Sequence, residues 1–173
     1  MILSKAILPD SITVSGMVYQ IRTGHPYWFM FHELLGEERV TVDRFDIFYT
    51  GEIPEDKQAG IDELYKFYFE EKELPRDTGE YSPPVLDYVI DADYIYAGIL
   101  QCYGIDLFEK EYHWHKVRAM IAGLIGTRMN DIMFYRGSKS KDKETLKLKT
   151  AWELPPKVKT ESEGLKKFNA LFE

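Results

Sequence analysis

The hydrophobic positions change period several times along the chain, and each change marks an element. From Ile12 to Thr23 they alternate, with Ser15-Gly16 between Ile12-Thr13-Val14 and Val18-Tyr19-Gln20-Ile21, which predicts a two-residue β-hairpin. A lone hairpin is marginal in water, so it should lie on helices or pair with another chain. Pro26 suits the first turn of a helix running to Leu35, with Gly36 past its end. Tyr27, Trp28, Phe29, Met30 and Phe31 are consecutive there. A helix so apolar is buried on most sides or shared with a partner, burial being the plainer reading. Val42, Phe45, Phe48 and Tyr49 predict a second helix over Val40 to Tyr49, ended by Gly51 through Pro54. A third runs from Asp56 to Phe69 on the stripe Ile61, Leu64, Tyr65 and Tyr68. Phe67 and Phe69 fall off that stripe, as they would in a helix packed between two neighbours or offering a contact surface. Residues 70–84 turn charged and rich in Pro and Gly, the best internal boundary.

The stretch from Asp87 to Arg136 organises the rest. Its first helix carries Ile90, Asp93, Tyr94, Ala97 and Gln101 along one side and Ile95, Ile99 and Cys102 along another. Ala97 and Gly98 permit close approach of a second helix. Tyr103-Gly104 stops it, with the glycine in a left-handed terminating position. Asp106 and Glu109 resemble a capping box for a helix presenting Trp114, Val117, Ile121, Leu124 and Ile125. Gly126 breaks that helix, and Thr127 caps a short one through Ile132, Met133 and Tyr135 to Gly137. The pattern therefore predicts a mainly α fold, a compact helical domain of five to seven helices over residues 1–137 with one small N-terminal hairpin. Residues 138–173 read as a lysine-rich linker and a C-terminal amphipathic helix with Leu165, Phe168 and Phe172 on its apolar stripe.

Composition narrows the function classes. Hydrophobic residues at 45% can fill a core without disulfides or metal, and the 14% aromatic share exceeds what a small helical core needs, pointing to an interface. The net charge of -7 is uneven: residues 1–86 hold 8 Lys and Arg against 16 Asp and Glu, and residues 87–173 hold 14 against 13. An acidic half argues against nucleic acid as a partner. The basic run Lys139 to Lys149 is interleaved with Asp142 and Glu144 and reads as solvated. A single Cys102 excludes an internal disulfide framework and reads as an inert core thiol in a reducing compartment. No window approaches the roughly 18 apolar residues of a membrane span, and MILSKAILPD is too short for a signal peptide, so a soluble intracellular protein is expected.

His113-Trp114-His115, with Asp91 and Asp93 upstream, invites a metal site or a small metal-dependent hydrolase. Residues two apart on a helix point about 200° away from each other, so neither pair easily shares an ion or a proton. The plainer reading buries Trp114, leaves the histidines at the margin with one bonded to a carboxylate, and pairs Asp93 with Arg118 or Arg128 in a structural ion pair. No phosphate-binding glycine loop, nucleophile elbow or C-x-x-C is present. No catalytic residue, cofactor or metal is expected.

The stretch D-A-D-Y-I-Y-A, Q-C-Y-G-I-D-L, H-W-H and G-L-I-G-T-R-M resembles a tailed-phage family, the "gene product fifteen" proteins. Its pattern is an Asp-rich helix, here Asp91 and Asp93, then Tyr103-Gly104-Ile105-Asp106-Leu107, His113-Trp114, Gly123-Leu124 and a final Tyr135-Arg136. His115 departs from it, standing where another aromatic is expected. Genes of this family lie just before the tape-measure gene. The resemblance implies a non-catalytic tail assembly chaperone that binds the tape-measure protein and supports tail tube assembly, in the host cytoplasm and absent from the mature virion. It also implies contacts with the tail tube protein and with further copies of itself. A structural virion component, such as a head–tail connector or tail-completion protein, is the alternative. Trp28, Phe31, Tyr65, Phe67 and Phe69 are the expected partner surface, and Asp93, Tyr103, Gly104, Asp106, His113 and Trp114 the structural motif.

Overall fold

In the hairpin, strands β1 (Ser11–Val14) and β2 (Met17–Gln20) pair antiparallel, Ser11 opposite Gln20 and Val14 opposite Met17. Ser15 and Gly16, at φ 51° and 82°, both take the left-handed conformation that a tight turn matching strand twist requires. The structure is a computed structural model, and it describes residues 7–37, 39–69 and 84–155. The chain divides into two compact units, Met1–Arg76 with Glu111–Arg118, and Asp77–Lys110 with Ala119–Glu173.

The first unit holds the hairpin, helix α1 (His25–Gly36), a 3-10 helix (Val42–Phe48), α2 (Lys57–Phe69) and the first half of α4 (Trp114–Ala122). The second segment is a 3-10 helix rather than the expected α-helix, for a reason written in its spacing. Val42, Phe45 and Phe48 recur every three residues, the period of that tighter helix, and the two phenylalanines are buried. Tyr49 lies past its end in extended backbone. The core is aromatic: Trp28, fully buried, lies 5.3 Å from Phe31, 5.6 Å from Phe48 and 4.5 Å from Phe67 between ring centroids. Phe67, off the predicted stripe, is thus buried because α2 packs on more than one side.

The second unit holds α3 (Ala92–Tyr103), the end of α4, α5 (Arg128–Gly137) and α6 (Lys143–Trp152). Gly104 closes α3 at φ 62°, its N–H donating to the Leu100 carbonyl as the pattern predicts. Gly98 lets Leu124 pack on α3, since a Cβ there would stand 3.0 Å from a Leu124 methyl. Asp106 does not start a helix. Its carboxylate accepts from the Phe108 N–H two residues on, making a local turn, and α4 begins only at Trp114. α4 also ends early, at Ala122, so Ile125 falls off its buried face and is exposed. Thr127 caps α5, its hydroxyl accepting from the Asn130 N–H at 3.2 Å. Residues 143–152, expected as linker, form α6, because the Asp142 carboxylate caps it by accepting from the Glu144 and Thr145 N–H groups. These bonds hold the Asp142 carboxyl below its ordinary value, the Thr145 amide contributing most. The stripe of Leu165, Phe168 and Phe172 lies outside the described residues.

Candidate functional site

The motif stretch is built around an ion pair. The Asp91 carboxylate receives both arms of Arg136, Nη1 at 2.6 Å and Nη2 at 2.9 Å, and the two side chains are buried to 1% and 6% exposure. Asp91 sits at the N-cap of α3 but does not cap it, because its carboxylate is turned to Arg136 and to the Asp87 N–H at 2.9 Å. Arg136 also donates from Nη1 to the Val85 carbonyl and from Nε to the Trp152 carbonyl. One guanidinium therefore joins the entry to α3, the last turn of α5 and the end of α6. Asp87 shapes that entry, its Oδ1 accepting from the Val89 and Ile90 N–H groups.

This corrects the expected carboxylate. Asp93 is exposed in the first turn of α3, where a negative charge suits the helix dipole. Arg118 and Arg128 are engaged elsewhere, Arg118 donating to the Tyr68 carbonyl at 2.8 Å and Arg128 lying 3.9 Å from Asp131. Cys102 is likewise no core thiol: it is exposed near the end of α3, its Sγ–H donating to the Ile125 carbonyl. Tyr103 reaches back over the same end, its hydroxyl donating to the Met120 carbonyl at 3.0 Å.

Trp114 is fully buried, stacks on Tyr68 at 5.2 Å and donates its indole N–H to the Tyr68 carbonyl at 2.9 Å. The histidines flanking it each bring Nε2 to a backbone carbonyl. His113 Nδ1 accepts from the His115 N–H, which leaves Nε2 as the protonated nitrogen donating to the Pro9 carbonyl at 2.8 Å. His115 is buried, not marginal. Its Nε2 lies 2.8 Å from the Phe67 carbonyl and its ring stacks on Phe67 at 4.4 Å. Imidazole is itself a flat aromatic ring, so at the position that departs from the family pattern it fills an aromatic's place. Among the described residues, no group of three or more His, Cys, Asp or Glu is arranged to hold a metal ion. No described helix is long and apolar enough to cross a membrane.

The expected partner surface is largely interior. Trp28 and Phe31 are fully buried and Phe67 nearly so, and no surface is made from them in this fold. Tyr65 and Phe69 are half-buried, their rings 4.4 Å apart. The apolar side chains that do face solvent are others, chiefly Met17 and Val18 on the hairpin, Leu100, Tyr103 and Phe108 around the end of α3, and Phe134 on α5. Composition signalled surplus aromatic area, but only packing shows which rings are left over.

No curated protein and no solved structure matches the chain. A family model, described as Bacteriophage Gp15 protein, matches residues 6–154, which takes in the hairpin, the buried Asp91–Arg136 pair and the His113-Trp114-His115 turn. With most of its length inside that match, the chain belongs to the Bacteriophage Gp15 protein family.

Proposed function

We propose that this phage protein is a tail assembly chaperone. It holds the tape-measure protein soluble in the host cytoplasm, supports growth of the tail tube around it, associates with copies of itself, and is absent from the mature virion. The observation that carries this reading is the family match over residues 6–154, and the resemblance implies a gene beside the tape-measure gene. The physics is consistent with it. A tape-measure chain exposes helical apolar segments, and a holder must cover them reversibly, which calls for presented apolar surface rather than a reacting centre. The excess negative charge of -7 keeps such a complex soluble and away from the phage genome.

Co-expression tests the reading. Tape-measure protein made with this protein should move from the insoluble to the soluble fraction and co-purify with it. Unchanged solubility contradicts the chaperone role. Mass spectrometry of purified particles separates it from a virion component, since stoichiometric protein in finished particles would favour the structural alternative.

A further inference from the structure

α3 keeps one flank outside the core of its unit. Asp93, Tyr96, Leu100 and Tyr103 follow one another at i, i+3, i+7 and i+10, so they share that flank. Leu100 and Tyr103 are 42% and 40% exposed. Beyond them Gly104 reverses the chain, Leu107 anchors in the core, and Phe108 returns to Tyr96 with ring centroids 5.1 Å apart. Asp106 fixes this return by accepting from the Phe108 N–H at 2.8 Å. Phe108 is nonetheless 86% exposed, the most exposed large hydrophobic side chain among the described residues. The Tyr-Gly-Ile-Asp-Leu turn thus holds an aromatic ring out in solvent against Tyr96, on the flank that also exposes Leu100 and Tyr103.

Charge selects what can cover them. Residues 92–110 carry Asp93, Asp106 and Glu109 against Lys110 alone. Two of these carboxylates act on the flank itself: the Tyr96 phenol is raised above its ordinary value, first by desolvation and then by Asp106 and Glu109. A second copy presenting the same face would bring like charges together, and anionic lipid or nucleic acid would be repelled. We propose that this flank docks a basic amphipathic helix of another polypeptide. Its apolar stripe sits on Leu100, Tyr103 and Phe108, and its Lys or Arg side chains face Asp93, Asp106 and Glu109. Assigning that helix to the tape-measure protein rests on the chaperone reading; the docking chemistry does not.

The test is a fluorescence anisotropy titration with two synthetic 20-residue peptides. Both carry leucine at i, i+3, i+4 and i+7, one with Lys and one with Glu on the polar face. The wild-type protein should bind the Lys peptide at least about tenfold more tightly than the Glu peptide. Leu100→Ser with Phe108→Ser should weaken that binding about tenfold or more while leaving the circular dichroism spectrum unchanged, since both side chains are exposed. Asp93→Asn with Glu109→Gln should weaken it and flatten its salt dependence. No binding, equal binding of both peptides, or full binding by the folded serine variant overturns the proposal. If the wild-type protein solubilises the tape-measure chain and the serine variant does so equally well, the tape-measure chain is not the occupant of this site and the chaperone reading stands. If the peptides behave as expected but tape-measure solubility does not change, the chaperone reading fails and the docking site stands.

Discussion

The two units bury their polar atoms by different means. The first is knit from neutral rings whose N–H groups end on backbone carbonyls: Trp28 on Arg22, Trp114 on Tyr68, His113 on Pro9. The second closes on full charges, Arg136 gripping Asp91 and two further carbonyls out of water. Many ring contacts, each worth about 0.5–1.5 kcal/mol beyond its buried area, share the load in the first. In the second, one bidentate pair carries much of it. A buried ion pair adds little over a well-packed apolar replacement, yet breaking it strands a charge at a cost of about 3–5 kcal/mol. The first arrangement gains its stability from area. The second uses electrostatics to fix which three segments meet.

Substitutions can break this contrast, and one in the aromatic unit should cost as much as breaking the ion pair. Trp28→Ala removes the ring that Phe31, Phe48 and Phe67 share, and urea denaturation should show a loss of about 3–5 kcal/mol. A loss below about 1 kcal/mol would mean that the cluster closes over the gap and that Trp28 is no hub. The smallest effect belongs to the second unit. Thr127→Ala deletes one cap on α5 and should cost about 1 kcal/mol, with faster hydrogen exchange in the first turn of that helix. An effect as large as that of Trp28→Ala would show that a single neutral hydrogen bond, not the ion pair, holds α5 in place.

What the sequence made legible was local. The hairpin follows from Ser15-Gly16 and the end of α3 from Gly104, because each depends on a backbone conformation that few residues take. The three-residue spacing of Val42, Phe45 and Phe48 contains the 3-10 helix but also fits a loose α-helical stripe. The ion pair forms at Asp91, two residues before the expected Asp93, and with Arg136 rather than Arg118 or Arg128. A helix wheel holds both Asp91 and Asp93 only if the helix starts before them, whereas α3 begins at Ala92 and Asp91 lies outside its wheel. Its partner is 45 residues away, and the closing Tyr135-Arg136 of the motif was the available signal. α6 was hidden by its lysines, although Asp142 with Thr145 three residues later is an ordinary capping pattern. The partner surface was misjudged for a deeper reason: an aromatic ring reads the same in a core and on a surface. Trp28, Phe31 and Phe67 went inside because α1, the 3-10 helix and α2 meet there, which no single segment records.

The central claim is that the motif residues of this family build a scaffold, with Asp91 and Arg136 spent on holding helices together. A double-mutant cycle on Asp91→Ala and Arg136→Ala, followed by urea denaturation, tests it most directly. Each single variant should lose about 3–5 kcal/mol, and the double variant should lose little more than either, the mark of two partners in one interaction. Additive losses, or single variants as stable as the wild-type protein, would contradict it.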